Sequence, residues 1–203
     1  MREKKSNGFL LIQELYFLLS GRTETISETL PSGDVDVPEA EAGVCTVVDK
    51  KTRDSGRVVC ITEEVYLQIV NSIGRIPAEQ GGLLGSSDGG NIVDHFLWDR
   101  KAAASTNTYR PSVEAINKIM LPRWNQNGVK LVGFIHSHPN GCIWPSEGDV
   151  IYTKILLEAL GEERFILPIV QSGNPHSFKM FGYIAVAQAM GLPEIHRCAL
   201  VVT

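Results

Sequence analysis

The pattern of apolar and polar residues changes period several times along the chain, which predicts an alternation of helices and strands. Val65, Ile69, Val70 and Ile73 recur at helical spacing, and Thr62 precedes them as a candidate N-terminal cap. We therefore predict a helix that begins after Thr62 and ends before the next glycine. The same periodicity predicts helices in two later segments, residues 112–120 and 147–160.

Short apolar runs bounded by glycine, proline or charged residues predict strands in the rest of the chain. These runs cover residues 46–50, 57–61, 81–86, 91–98, 165–171 and 178–186. Residues 129–135 form a nearly unbroken apolar run, which is typical of a central strand covered on both faces. The predicted fold class is therefore α/β, with a mixed β-sheet and helices packed against it.

The first 43 residues differ in character from the rest. Five leucines within residues 1–20 fall on one helical face, which predicts an amphipathic helix that docks on a partner protein or forms oligomers. A signal sequence is the less favoured alternative, because Gln13 and Glu14 interrupt the apolar run, and a disordered start is a third. Residues 21–43 are acidic and poor in apolar residues, so we predict a flexible linker before a domain at 44–203.

Composition, charge and cysteine content limit the classes of protein that fit this sequence. A chain of 203 residues with 43% hydrophobic residues can form one well-buried domain. A net charge of −4 with scattered basic residues disfavours nucleic acid as a partner. Four widely separated cysteines favour reduced thiols and a cytoplasmic location, and no apolar run is long enough to predict a membrane span.

Candidate metal ligands follow the predicted central strand. His136 and His138 are two residues apart, so an extended backbone turns both imidazoles to one face. Asp149 lies in the first turn of the next predicted helix, after a possible cap at Ser146. Two imidazoles and a carboxylate suit a catalytic zinc site, which keeps a fourth position open. A chance pair of histidines and an ordinary helix cap remain the alternative interpretation.

Two neighbouring features have both structural and functional interpretations. Trp144 and Pro145 are expected to brace the loop before the helix, with contact to substrate as the alternative. Gly81 and Gly82 are expected to allow close backbone approach within a strand. The alternative is that they pair with an extended substrate tail by strand addition.

The segment from His136 to Asp149 resembles the JAMM motif, in which His-x-His is followed by seven residues, Ser, two residues and Asp. Glu79 precedes the glycine-containing strand at Gly81 and Gly82, and it resembles the second signature of the same family. On these residues the chain is similar to the JAB/MPN (JAMM) zinc metalloproteases, and most similar to their compact prokaryotic members. The resemblance implies a mixed sheet with cytidine-deaminase-like layering.

The resemblance also implies a role for each matched residue. His136, His138 and Asp149 are expected to hold one zinc ion per chain. Glu79 is expected to act as general base toward a zinc-activated water, and Ser146 to stabilise the oxyanion that develops on the scissile carbonyl.

The implied reaction is hydrolysis of a peptide or isopeptide bond after the C-terminal Gly-Gly of a ubiquitin-like protein, which is the expected partner. Two alternatives stay open at this point. Some family members are structural subunits without activity, and a DNA-repair-associated relative shares part of the motif.

Overall fold

The computed structural model describes residues 58–75, 78–90, 92–100, 103–105, 108–110, 123–138, 142–171 and 178–203, with only the backbone described at 103–105 and 108–110. Four of our predictions lie outside these residues. They are the N-terminal helix, the linker at 21–43, the strand at 46–50 and the helix at 112–120.

Two α-helices are present in the described part of the chain, and both begin where the sequence predicts. Helix α1 spans Glu63–Ser72, and the Thr62 hydroxyl accepts a hydrogen bond from the Val65 amide. Helix α2 spans Glu147–Leu160. It ends at Gly161, whose φ of 66° is the left-handed conformation that glycine adopts without steric cost. A short 3₁₀ turn occupies Asn125–Asn127.

The described strands form one nine-stranded sheet and a separate hairpin. In chain order they are β1 (Val58–Ile61), β2 (Gly81–Ser86), β3 (Ile92–Val93), β4 (His95–Trp98), β5 (Ala103–Ser105), β6 (Thr108–Arg110), β7 (Lys130–His138), β8 (Arg164–Ile166), β9 (Ile169–Gln171), β10 (Lys179–Val186) and β11 (Glu194–Val202). The large sheet has the order β3-β1-β11-β10-β8-β7-β2-β4, with β9 paired to β10 and β7. Strands β5 and β6 pair only with each other among the described residues.

Parallel and antiparallel pairs coexist in this sheet, as predicted. Strand β1 runs parallel to β11 and β3, and β7 runs parallel to β8 and β9. The pairs of β2 with β4 and β7, and of β10 with β8, β9 and β11, are antiparallel. The fold is an α/β domain with a mixed sheet.

Hydrophobic residues cover both faces of the sheet, because neighbouring side chains along a strand point to opposite sides. Leu84 and Ile135 face the side of α1 and join one buried cluster. Leu83 and Phe134 face the side of α2 and join another. Each helix therefore has its own core layer, and the sheet separates the two.

Two predicted strands are divided in the structure. The segment 91–98 splits at Asp94 into β3, which pairs with β1, and β4, which pairs with β2. The segment 165–171 splits at Leu167 and Pro168. Proline has no amide hydrogen to donate to a neighbouring strand, so the ladder is interrupted there and resumes in β9.

Two other strands differ from the prediction, one in its length and one in its existence. Strand β7 extends beyond residue 135 and includes His136, Ser137 and His138. Strand β11 was not predicted, although it has nine residues. Its positions are half-buried or exposed on both faces except Val201, so it shows neither clear alternation nor a continuous apolar run.

Candidate metal centre

His136 and His138 lie on the face of β7 that packs toward α2. Their Nε2 atoms are 2.8 Å apart, and their rings meet edge to face with centroids 4.6 Å apart. Both side chains are buried, with His136 1% exposed and His138 5% exposed. The extended backbone thus brings two imidazole nitrogens to one point, as the spacing predicts.

Asp149 reaches the same point from the first turn of α2. Its Oδ1 lies 3.1 Å from His136 Nε2, and its Oδ2 lies 3.3 Å from His138 Nε2. One ligand atom from each of the three residues falls within 4.8 Å of the others. The structure therefore assembles the three predicted ligands into one cluster.

The Asp149 carboxylate is held in its ionised form. Burial by itself raises the pKa of this group, but the interactions with His136 and His138 outweigh burial, and the pKa lies well below its usual range. An ionised carboxylate beside two imidazoles is the form in which all three groups can bind a cation.

These donors fit a zinc ion. Zinc binds imidazole nitrogen and carboxylate oxygen at about 2.0–2.2 Å, so tetrahedral ligands stand roughly 3.3–3.6 Å apart. The two Nε2 atoms are 2.8 Å apart, His136 Nε2 lies 3.1 Å from Asp149 Oδ1, and His138 Nε2 lies 3.3 Å from Asp149 Oδ2. One donor atom from each residue is thus within 4.8 Å of the others, close enough for small side-chain movements to let all three hold one ion.

Glu79 lies just before β2, the strand that pairs with the histidine-bearing end of β7. Gly81 pairs with His136, and the Ser137 amide donates to the Gln80 carbonyl at 2.8 Å. Glu79 is therefore two residues before the position paired with His136. It is buried, at 8% exposure. The predicted base thus lies at the end of β2 that pairs with the predicted ligands.

Ser146 forms the N-terminal cap of α2. Its hydroxyl accepts from the Asp149 amide at 3.2 Å and donates to Asp149 Oδ2 at 2.8 Å. Its backbone amide donates to the same oxygen at 2.7 Å, which completes a capping box. Ser146 thus fixes the orientation of Asp149, a role that the simple cap interpretation anticipates.

The loop before α2 is anchored on the sheet by Tyr183, a residue that sequence reasoning missed. The buried Tyr183 hydroxyl donates to the Ile143 carbonyl at 2.7 Å, and its ring lies 5.3 Å from that of Trp144. Trp144 braces the loop against this ring, as expected, and remains 47% exposed. Only the alternation of side-chain directions along β10 could have indicated that Tyr183 faces the loop before α2.

The idea that a substrate tail pairs with Gly81 and Gly82 is wrong in its simple form. Strand β2 lies between β4 and β7 and pairs with both, so its backbone groups are already used. Gly82 serves close packing instead, since a Cβ on it would lie 2.5 Å from the Leu97 carbonyl oxygen. A substrate tail that adds as a strand has to pair with a strand other than β2.

The fold and the donor set define an α/β protein with a candidate mononuclear metal centre. A family model described as JAB1/Mov34/MPN/PAD-1 ubiquitin protease matches residues 54–161, more than half of the chain. The chain belongs to this family, as the motif resemblance predicted.

A solved structure supports the fold. The solution structure of protein DSY2949 from Desulfitobacterium hafniense is similar at a TM-score of 0.54 and 15% identity, covering 71% of this chain and 92% of that chain. None of the curated proteins matches the chain. No described helix is long and apolar enough to cross a membrane.

Proposed function

We propose that this protein is a zinc-dependent peptidase that hydrolyses the peptide or isopeptide bond after the C-terminal Gly-Gly of a ubiquitin-like protein. The observation that carries the proposal is the convergence of His136, His138 and Asp149 on one point. Packing alone does not require two buried imidazoles to face an ionised carboxylate. Membership in a family described as a ubiquitin protease supports the choice of reaction.

The three candidate ligands explain how the proposed reaction would use a zinc ion. When bound, a zinc ion supplies Lewis-acid chemistry and lowers the pKa of water to about 7. His136 and His138 contribute neutral nitrogen donors, and Asp149 contributes one negative charge. Three protein ligands leave a coordination position for the reactants, as in catalytic rather than structural zinc sites.

Glu79 is the residue best placed to move protons. It takes a proton from the attacking water and delivers it to the leaving amine. Glu79 is buried, so a proton acceptor at this position is shielded from bulk solvent. General base catalysis of this kind contributes about 100- to 10,000-fold in rate.

Ser146 can stabilise the developing oxyanion without releasing Asp149. The serine oxygen keeps the Asp149 amide as a donor while its own hydrogen rotates toward the substrate carbonyl. Asp149 Oδ2 then retains the hydrogen bond from the Ser146 amide. The cap and the oxyanion role are therefore compatible.

The depth of the cluster supports a glycine-rich substrate tail. His136, His138 and Glu79 are all less than a tenth exposed, so only a slender segment can approach them. Two glycines present no side chains and fit such a narrow approach. The protein partner that carries this tail is the proposed substrate.

The test incubates zinc-loaded protein with ubiquitin-like proteins extended by several residues past Gly-Gly. Mass spectrometry of the intact products locates any cut. We expect cleavage directly after the second glycine, and none with the Glu79→Gln variant. A protein that binds zinc but leaves every extended substrate intact would favour the alternative, a structural subunit.

A further inference from the structure

Tyr183 is firmly held on the sheet, and it contacts the loop that leads into α2. It lies in β10, where it pairs with Arg197 of β11, and on its other side its carbonyl accepts a hydrogen bond from the Leu167 amide at 2.9 Å. Its side chain is buried, at 0% exposure. Because the backbone is paired on both sides and the ring is enclosed, the phenol is a fixed point for whatever it contacts.

Two contacts attach the loop to this fixed point. The Tyr183 hydroxyl donates to the Ile143 carbonyl at 2.7 Å, and the ring of Tyr183 lies 5.3 Å from that of Trp144. The hydrogen bond holds the loop backbone, and the ring contact holds the neighbouring side chain. The loop is therefore attached to the sheet three residues before Ser146.

The connection from Ile143 to Ser146 is short and stiff. Trp144 and Pro145 lie between them, so the two α-carbons are at most roughly 11 Å apart. Proline fixes its own φ near about −65° and restricts the residue before it to extended conformations. A displacement of Ile143 is therefore transmitted to Ser146, because the two residues between them have little freedom to absorb it.

Ser146 in turn holds Asp149. The amide and the hydroxyl of Ser146 both donate to Asp149 Oδ2, at 2.7 and 2.8 Å. The other carboxylate oxygen, Oδ1, lies 3.1 Å from His136 Nε2. A continuous series of contacts thus runs from Tyr183 through the loop to a candidate metal ligand. Contacts of this kind orient a ligand without touching the ion.

We propose that Tyr183 is a positioning residue of the candidate metal centre, whose hydroxyl holds the loop before α2 and thereby keeps Asp149 aimed at the two histidines. The inference rests on the metal centre of the proposed function. Without this hydrogen bond the loop gains freedom, and Asp149 is directed away from the imidazoles for part of the time. Binding of a divalent cation then has to order the loop again, which lowers the affinity.

The first experiment compares zinc dissociation constants by competition with a chromophoric chelator. Tyr183→Phe removes one oxygen atom and keeps the buried ring, and it should weaken zinc binding by about 10-fold. The matched control is Tyr66→Phe, which removes the same hydroxyl from α1 on the opposite face of the sheet. We expect the control to bind zinc like the unchanged protein.

A double substitution distinguishes positioning from a general loss of stability. Because Tyr183 is proposed to act through Ser146, Tyr183→Phe should weaken zinc binding by much less in a Ser146→Ala background than in the unchanged protein. Two independent effects would instead multiply. The d–d spectrum of bound Co²⁺ gives a second readout. It should change in Tyr183→Phe, where the carboxylate is less well ordered, and stay the same in Tyr66→Phe.

Three results would overturn the inference: equal zinc affinity of Tyr183→Phe and the unchanged protein, an equal loss in Tyr66→Phe, or full multiplication in the double variant. If Tyr183→Phe does not fold, Trp144→Ala takes its place under the same criteria, because it removes the ring contact from a side chain that is 47% exposed.

The inference and the proposed function fail in different ways. Zinc affinity is measured without substrate, so the result does not depend on proteolysis. A protein that binds zinc and cleaves nothing would refute the proposed reaction alone. Unchanged affinity in the variants would refute the role of Tyr183 alone.

Discussion

Ser146 and His138 both contact the same carboxylate oxygen of Asp149. The Ser146 hydroxyl lies 2.8 Å from Asp149 Oδ2, and His138 Nε2 lies 3.3 Å from it. The serine that caps α2 therefore also sets the direction of a candidate metal ligand. Helix capping and ligand placement depend on one side chain.

Replacing this serine should affect both properties. Ser146→Ala should destabilise the fold by about 1 kcal/mol through loss of the cap and weaken zinc binding by about 10-fold or more. Thermal unfolding of the metal-free protein and chelator competition measure the two effects. Ser146→Thr preserves the hydroxyl and is the control. Unchanged zinc affinity in Ser146→Ala would show that Asp149 does not need this partner.

Glu79 should matter for turnover and little for the metal. Glu79→Gln keeps the shape of the side chain but removes the proton acceptor, so activity should fall by at least about 100-fold. Zinc content, measured by atomic emission, should stay at one ion per chain. Glu63→Gln, on the exposed start of α1, is the control for a lost carboxylate. Substantial activity in Glu79→Gln would exclude the assigned role.

Removing a ligand should remove the metal and its stabilisation. His138→Ala leaves two ligands, so zinc affinity should fall by several orders of magnitude. At free zinc 100 times the dissociation constant, binding stabilises the native state by about 2.7 kcal/mol. Adding zinc should therefore raise the melting temperature of the unchanged protein and not that of His138→Ala. His196→Ala, in β11 and separated from β7 by β10 and β8 in the sheet order, should respond to zinc normally.

Thiol chemistry should distinguish the described cysteines. Burial raises the pKa of Cys198 from about 9 to about 12, whereas Cys142 is exposed in the loop between the ligands. In a Cys45→Ser background, native protein at pH 8 should be alkylated at Cys142 and spared at Cys60 and Cys198. Peptide mapping by mass spectrometry reads out the sites. Rapid modification of Cys198 under native conditions would contradict this prediction.

The same shift in pKa gives a pH dependence of stability. Because folding raises the pKa of Cys198, its contribution is fully present below about pH 9 and is lost as the pH rises toward about 12. The free energy of unfolding should therefore decrease over this window, and Cys198→Ala should reduce the decrease. Urea titrations at several pH values measure this free energy of unfolding in both proteins. An identical decrease in both proteins would assign the effect to other groups.

Local sequence predicted the helices better than the strands. The cap at Thr62 and the cap at Ser146 placed both described helices, because capping depends on side-chain contacts within one turn. Strand limits depend on pairing with distant segments. The break at Asp94 and the whole of β11 follow from such pairing, and the local pattern carries little trace of it.

In the candidate site, too, local sequence predicted some residues and missed others. Extended backbone alone brings His136 and His138 to one face, and the first turn of a capped helix presents Asp149. The motif resemblance added Glu79. Tyr183 was missed, because it acts on the loop before α2 from a position with no local signature.

The sequence by itself determined the donor types, their spacing along β7 and α2, and the family. Only the tertiary structure decided that α2 packs on the face that carries the histidines, and that β2 aligns with β7 so that Gly81 stands opposite His136. Gln80 and Ser137 make the joining contact across 57 positions of sequence. Such register is set by the burial of whole sheet faces, a property that no single segment possesses.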